Sequence, residues 1–473
     1  MNNYDYDLIV VGGGAAGFTA SKTALGLGKK VAMIEKKKLG GECTHTGCIP
    51  SKALIQCAKI AKHIKDCKNY GISLNGSYDI NTDNVMEHVR GVVEKIYQTH
   101  SPETFEKIGI KVFFASPHFI DNHTVEINGQ KITSKKFILC TGSSPAVPRL
   151  EGLDNVSYLT NKNVFSIKKI PASMTIIGGG PIGIEMAQAF TRLGTEVTVL
   201  VRSKILPKDD VELTDMLHKR LVSEGVKFVI GMQILKVYEN NLKITTEIKT
   251  QEGTKNITSD TIFIATGRKP NLEGLNLEDA NVIYSDKGVQ VTNVLQTSAN
   301  NIYACGDIVM PYQFSHISEY EAAKAAMNAF LPVKQTVNYS NIIWATFTEP
   351  EFAHAGMTEK EARTRYGNKI KIHRYKYDDI DRAQTDNAST GLAKFIYLSS
   401  GKILGAHILG ARAGDIIHEA QILKTLNMSF YNISKVIHAY PTYADITRQA
   451  GKKAYVKKLL NNPIVKLVKS FGK

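Results

Sequence analysis

The sequence predicts an α/β chain with two βαβ units, each opened by a glycine-rich turn, and a smaller α+β domain at its end. Three observations predict it. Gly12, Gly14 and Gly17 form a G-x-G-x-x-G turn between the apolar run Tyr6–Val11 and an alanine-rich helix, and a second strand over 31–34 ends at Glu35. The pattern returns 166 residues later as a strand over 174–177, then Gly178, Gly180 and Gly183, a helix to Leu193, and a strand over 197–201. From about Ile342 strand-like and helical patterns mix without a third glycine turn, the mark of a separate α+β domain.

Between a strand and a helix, such a turn is a phosphate cradle. The first glycine allows the tight turn, the second lets a pyrophosphate approach the backbone, and the third lets the helix pack close to the strand. The helix N-terminus then faces the phosphates. Two such turns predict two Rossmann-like dinucleotide-binding domains. Each unit is followed by a short strand ending in Thr-Gly, at Thr141-Gly142 and at Thr266-Gly267-Arg268. Tyr303-Ala304-Cys305-Gly306-Asp307 marks a return to the first domain. The expected segments are 1–150, 151–272, 273–341 and 342–450, with a tail over 451–473.

Composition removes several classes. Of the 473 residues 43% are hydrophobic and 22% charged, ordinary for a globular protein and unlike disordered or fibrous chains. The start has no basic n-region, and no apolar run reaches the ~18 residues of a membrane span, so a cytoplasmic protein is expected. A net charge of +15 is compatible with nucleic-acid binding, but eight Lys or Arg and no acid lie within 446–473. The rest is mildly basic and carries no nucleic-acid recognition motif, so no nucleic-acid partner is expected. In the tail, Val456, Leu459, Leu460, Ile464, Leu467, Val468 and Phe471 recur at helical steps, Lys457, Lys458, Lys466 and Lys469 mostly fall elsewhere, and Pro463 breaks or kinks the helix. A basic amphipathic segment either makes peripheral contact with an anionic membrane or packs on the protein's own surface, and the second is the expectation.

The six cysteines are Cys43, Cys48, Cys57, Cys67, Cys140 and Cys305. In a reducing compartment a close pair points to catalysis or metal. C-x4-C is not a usual zinc spacing and no second pair completes four ligands, so no metal site is expected. A thiol at a helix start has its pKa lowered by the dipole and the orphan N–H groups. Residues five apart on a regular helix face different ways, so a Cys43–Cys48 bridge requires a distorted turn, and that strain favours a working disulfide. The other four are expected to be small buried hydrophobes.

The stretch Gly40-Gly41-Glu42-Cys43-Thr44-His45-Thr46-Gly47-Cys48-Ile49-Pro50-Ser51-Lys52, both glycine turns, Ala265-Thr266-Gly267-Arg268 and Tyr303–Asp307 fall in one order. In that order the whole chain resembles the flavoprotein disulfide reductases: dihydrolipoamide dehydrogenase, glutathione reductase and mercuric reductase. The resemblance implies FAD on Gly12, Gly14, Gly17, Glu35 and Asp307, and a nicotinamide nucleotide on Gly178, Gly180 and Gly183. It adds Gly41, Thr141, Gly142, Gly267, Arg268 and Gly306 to the cofactor-binding set. Lys52 and Glu185 match the family's ion pair beside the flavin N5. Cys48 matches the sulfur that meets the flavin and Cys43 the interchange thiol that meets the substrate. A two-fold homodimer is implied, with Tyr440 reaching the partner's cysteine pair.

The chain also departs from that family. Dehydrogenases and glutathione reductases carry a C-terminal His-Pro-Thr followed by a Glu, whose His shuttles a proton to the interchange thiol. Here the stretch is His438-Ala439-Tyr440-Pro441-Thr442-Tyr443-Ala444-Asp445, with Tyr440 at the His position and Asp445 at the Glu position. A phenol with pKa ~10 is a poor proton acceptor where an imidazole near ~6.5 is well poised. His438 replaces it only if the loop is rebuilt. Tyr440 and Asp381-Arg382-Ala383 resemble mercuric-reductase-like members, yet the last cysteine is Cys305, so the vicinal pair that delivers metal is missing.

The expected enzyme therefore passes electrons from NAD(P)H through FAD and Cys43–Cys48 to a small acceptor, a metal ion, small disulfide or quinone. A dihydrolipoamide dehydrogenase-type activity is the alternative. A non-catalytic flavin sensor or scaffold would need none of Cys43, Cys48, Lys52 and Glu185. Glu35 lies 23 residues after Gly12, and the same offset from Gly178 lands on Val201, followed by Arg202, Lys204 and Lys208. An acid there holds the free ribose hydroxyl of NAD, while cations accommodate a 2′-phosphate, so NADPH is expected over NADH.

Overall fold

The computed structural model describes residues 4–76 and 78–466, and the chain divides into two compact units. The first comprises residues up to Gly178, Arg192–Arg202 and Gly231–Asn338. Its sheet is centred on β1 (Tyr6–Val11), which runs parallel to β2 (Val31–Glu35) on one side and to the strand Gln130–Leu139 on the other. Ile110–Phe114 extends the sheet beyond β2, and Ile302–Ala304 beyond Gln130–Leu139, both in parallel. The last of these brings Cys305-Gly306-Asp307 to the sheet edge where the β1 turn ends.

Side chains alternate across the pleat, so β1 and β2 feed two cores. Leu8, Val10 and Met33 face the helix α1 (Ala15–Gly26) through Ala16, Ala20 and Ala24, together with Ala322, Ala325 and Ala326 of the helix Ser315–Phe330. Ile9, Val11, Ala32 and Ile34 face Phe119, Val125 and Ile127 of an antiparallel flap over His118–Asp121 and Thr124–Ile127. Burial on both faces is why these strands read as near-continuous apolar runs.

A second parallel set in the same unit holds Tyr158–Leu159, Thr261–Ile264, Ser173–Ile177 and Glu196–Val201. An antiparallel meander, Gln233–Asn240, Lys243–Thr250 and Gly253–Ser259, accompanies it, and no sequence motif announces that meander.

The second unit comprises Gly179–Thr191, Ser203–Ile230 and the chain from Tyr339 onward. Five antiparallel strands run in the order Ile343–Thr346, Glu351–Gly356, Ile403–Gly410, Leu392–Leu398, Ile370–Lys376. The helix Ala413–Thr425 covers the sheet, its Ile416, Ile417 and Ala420 packing with Phe395, Ile408 and Phe430. This is the α+β domain the sequence predicts.

The tail helix runs Asp445–Leu460 and stops ahead of Pro463. Its buried side is Ile446, Ala450, Gly451 and Ala454, where a Cβ on Gly451 would overlap the Ile433 side chain. Small residues spaced for close approach therefore form its packing face. Val456, Leu459, Leu460 and Ile464, the stripe singled out in the sequence, lie exposed. Leu467, Val468, Lys469 and Phe471 lie outside the described residues. Among the described residues no helix is long and apolar enough to cross a membrane.

Candidate active site

The first glycine turn is built on close backbone contact. Gly12 has φ 111°, and a Cβ there would stand 2.3 Å from the Cys140 carbonyl oxygen; one on Gly17 would stand 1.9 Å from the Gly12 oxygen. Only glycine fits either place. Gly41 approaches Gly14 so closely that its own Cβ would lie 2.9 Å from the Gly14 Cα. Glu35, at the end of β2, accepts from the Gly13 N–H and the Lys37 N–H, each at 2.8 Å, so its carboxylate is fixed at the turn. The second turn repeats the design: Gly178 has φ 123°, and its Cβ would meet the Ala265 oxygen at 2.2 Å. Gly183 is buried in the helix Pro181–Arg192, and Gly180 faces open space.

The cysteine stretch folds as two helices, α2 (Gly41–His45) and α3 (Cys48–Asp66), broken at Thr46 and Gly47. Gly47 is needed at the break, since its Cβ would lie 2.8 Å from the Glu42 oxygen. The break is the distortion that the five-residue spacing requires, and it brings the two thiols into hydrogen-bonding contact. All six cysteines are unbridged, and Cys48 Sγ lies 3.6 Å from Ser315 Oγ. Contact with Cys48 first, then burial, push the Cys43 thiol well up from its ordinary range. The helix-start argument predicts a lowered value, so for Cys43 that expectation is corrected: the neighbouring sulfur outweighs the dipole of a five-residue helix.

A raised pKa fixes the sign of the pH response. Below it the thiolate fraction grows about tenfold per pH unit, and thiolate is the nucleophile. In the reduced enzyme, alkylation of the Cys43 peptide by iodoacetamide should climb in this way from pH 7 to 9. A curve that bends over between pH 8 and 9, read by mass spectrometry, would show a thiol of ordinary pKa, and a plateau below pH 8 a lowered one.

Around the pair runs a polar network that motifs do not reveal. Arg268 donates to Glu42 Oε2 and, through Nε at 2.7 Å, to Ser143 Oγ, which donates to Asp307 Oδ2 at 2.5 Å. Asn161 Nδ2 donates to Glu42 Oε2 at 3.3 Å and to the Thr46 carbonyl at 3.2 Å. Glu42 Oε1 is buried without a hydrogen-bond partner. Thr141 and Asn271 exchange bonds of 2.8 Å, and the Asn271 N–H donates to the Gly142 carbonyl, tying the Thr-Gly strand end in place. The Gly306 N–H, at φ 78°, donates to the buried Glu321 carboxylate at 2.7 Å. Gly267 takes φ 137° at the other Thr-Gly strand end. Lys52 stands on α3 one turn beyond Cys48.

In the second unit Glu185 is buried and accepts from the Phe347 N–H at 2.8 Å. Lys204 and Lys208 are exposed on the loop that Arg202, also exposed, leads into. The Tyr440 hydroxyl donates to Asp381 Oδ2 at 2.6 Å, which raises its pKa further. Asp445 is buried and accepts from Arg448 Nε at 2.6 Å. His438 is held by the Val436 carbonyl at 3.0 Å and by Glu419 Oε1 at 3.4 Å, its side chain only 6% exposed. Tyr440 thus takes its carboxylate from Asp381 rather than from Asp445, and His438 is engaged elsewhere.

The fold and the sulfur pair put this protein among the dithiol oxidoreductases. Family models place it more narrowly: the pyridine nucleotide-disulphide oxidoreductase model matches residues 6–329 and that family's dimerisation domain matches 342–450, so the chain belongs to this family of FAD- and NAD(P)H-dependent enzymes. It is 35% identical to a mercuric reductase of Staphylococcus aureus, over 93% of this chain and 81% of that one. It is 33% identical to a dihydrolipoyl dehydrogenase of Staphylococcus aureus, over 95% of this chain and 96% of that one. A solved structure, the Cu(II) complex of the HOCl-induced flavoprotein disulfide reductase RclA from Escherichia coli, shares the fold with TM-score 0.85. That match covers 95% of this chain and 99% of that one at 23% identity.

Proposed function

We propose that this enzyme moves two electrons from NADPH through FAD into Cys43–Cys48 and on to a small acceptor, with a thiophilic metal ion the best fit. Tyr440 carries the choice. A disulfide acceptor needs a Cys43 thiolate and a proton donor for the leaving sulfur, whereas the Tyr440 hydroxyl is engaged as a hydrogen-bond donor to Asp381 and the Cys43 thiol is held up. A soft metal ion needs no such base, because it displaces the thiol protons as the sulfurs bind it.

The residues present fit FAD. The bare backbone of Gly12, Gly14, Gly17 and Gly41 suits a pyrophosphate, Glu35 the ribose hydroxyls, and Asp307 with Ser143 the ribityl chain. The unpartnered Glu42 Oε1 and the ordered Thr141, Gly142, Gly306 and Arg268 complete the polar lining. When bound, FAD accepts a hydride from the nicotinamide and passes two electrons to sulfur. Lys52 and Glu185 keep the roles that the resemblance implies, and Gly178, Gly180, Gly183 and Gly267 receive the nicotinamide nucleotide, with Arg202 and Lys208 on its 2′-phosphate. The balance is simple: NADPH and a proton reduce the disulfide to two thiols, the acceptor takes both electrons, the S–S bond re-forms, and two protons leave. The segments 1–150, 151–272, 273–341 and 342–450 are proposed as FAD, nucleotide, central and interface domains.

An acceptor screen with FAD-loaded protein, covering Hg(II), Cu(II), quinones, lipoamide and oxidised glutathione, tests this function. NADPH consumption should be fastest with a metal ion; equal or faster turnover of lipoamide would favour the dehydrogenase alternative. The proposed assembly is a two-fold homodimer, supported by the family's dimerisation domain and by Ile422, Leu426, Val436 and Ile437 left exposed on it. Light scattering should give twice the chain mass, and an active monomer would refute the assembly.

A further inference from the structure

The loop between the strand Glu196–Val201 and the helix Val211–Ser223 is anchored on both sides of Lys208. On one side Leu206 is buried with φ 43°, a backbone conformation that costs a branched side chain, and its N–H donates to the Gly179 carbonyl at 2.8 Å. The chain is thereby closed over the second glycine turn. On the other side Asp209 and Asp210 are buried among the strands of the C-terminal sheet.

Asp209 Oδ1 accepts from Trp344 Nε1 at 2.9 Å and lies 3.1 Å from His354 Nδ1. The Trp344 and His354 rings stack at 3.5 Å, and His354 Nε2 lies 2.8 Å from the Gly356 carbonyl. Asp210 meets Lys394 Nζ at 2.7 Å. That buried ammonium also reaches Glu212 at 2.6 Å and Glu359 at 3.1 Å, and Arg374 bridges the same two glutamates at 2.9 Å each. Burial alone would raise the Asp210 carboxyl, but Lys394, together with His407 and the Glu359 N–H, outweighs it and holds the group below the usual carboxylate range. Such an ion cluster is costly to rearrange, because each charge left unpaired would be buried. Between these anchors Lys208 stands exposed, while Lys204 is exposed just ahead of Leu206.

We propose that Trp344 and Lys394 are positioning residues for nucleotide choice, fixing Asp209 and Asp210 so that Lys208 meets the 2′-phosphate of NADPH. The proposal rests on the NADPH reading above. Neither residue touches the nucleotide; each removes loop freedom that binding would otherwise have to freeze.

The test compares kcat/KM for NADPH and NADH in FAD-loaded enzyme. Trp344→Phe keeps the ring stack and loses only the N–H. It should raise KM for NADPH about fivefold while leaving kcat and the NADH constants unchanged. Asp209→Ala, which removes the same anchor from the loop side, should lower the preference equally. In a Lys208→Ala background, where the preference is already lost, Trp344→Phe should have no further effect. A preference that falls in Lys208→Ala but not in Trp344→Phe or Asp209→Ala would overturn the positioning role and leave the NADPH reading standing. Wild-type enzyme with equal kcat/KM for both nucleotides would remove that reading and the proposal with it. Equal losses with both nucleotides would mark the anchor as merely structural and overturn the proposal.

Discussion

Cys43→Ser should lose acceptor turnover by at least about a thousandfold while still binding FAD and still being reduced by NADPH. The expectation follows from the helix break at Thr46 and Gly47, which places Cys43 in the short helix and Cys48 at the head of the long one. Without Cys43 no disulfide forms, so electrons reach the cofactor and have no exit through sulfur. Cys48, retained, should keep the long-wavelength absorbance that a thiolate gives beside an oxidised flavin; Cys48→Ser should abolish it. The two variants therefore fail differently. Full activity of Cys43→Ser with every acceptor would mean that substrate is reduced without the sulfur pair, and the mechanism proposed here would be wrong.

The second large effect is a gain. Tyr440→His should raise turnover of lipoamide by about ten- to a hundredfold, below the ~10²–10⁴ that a well-placed acid–base group contributes. An imidazole at 440 would find Asp381, which holds the Tyr440 hydroxyl at 2.6 Å, whereas Asp445 is committed to Arg448. Adding Asp381→Ala should cancel the gain, because the ring then loses the carboxylate that orients it. If wild-type enzyme already turned over lipoamide as fast as Hg(II), the absent imidazole would explain nothing and the acceptor assignment would fall.

What was legible in the sequence is what local geometry dictates. The two glycine turns need bare backbone at fixed offsets, so Gly12, Gly17 and Gly178 announce themselves wherever the rest of the chain goes. Glu35 follows because a strand of fixed length carries it back to the turn, and the Gly13 N–H meets it there. Contacts between distant segments were not legible. Arg268 and Glu42 are 226 residues apart, and Tyr440 and Asp381 are 59 apart. Cys140 and Cys305, set aside in the sequence as ordinary buried thiols, end adjacent parallel strands with their sulfurs 3.5 Å apart. In the tail, helical periodicity marks Val456, Leu459 and Leu460, yet the packed face holds Ile446, Ala450, Gly451 and Ala454. Close approach, which small residues permit, decided that face.

The bond between Arg268 and Glu42 links two parts of the proposed site. Glu42 is covalently next to Cys43, the proposed interchange thiol, and Arg268 follows Gly267 at the strand end proposed for the nucleotide while reaching Asp307 at 3.4 Å. Coupling free energies are reciprocal. A nucleotide that engages Arg268 differently when the sulfurs are bridged and when they are reduced must shift the reduction potential of the pair by the same free energy. For a two-electron couple, a tenfold difference in nucleotide affinity between the two states equals about 30 mV, whichever end is measured. If a bound nucleotide does so, the sulfur potential of this enzyme tracks its nucleotide occupancy, and with it the NAD(P)H/NAD(P)⁺ ratio around it, as well as the cysteines themselves.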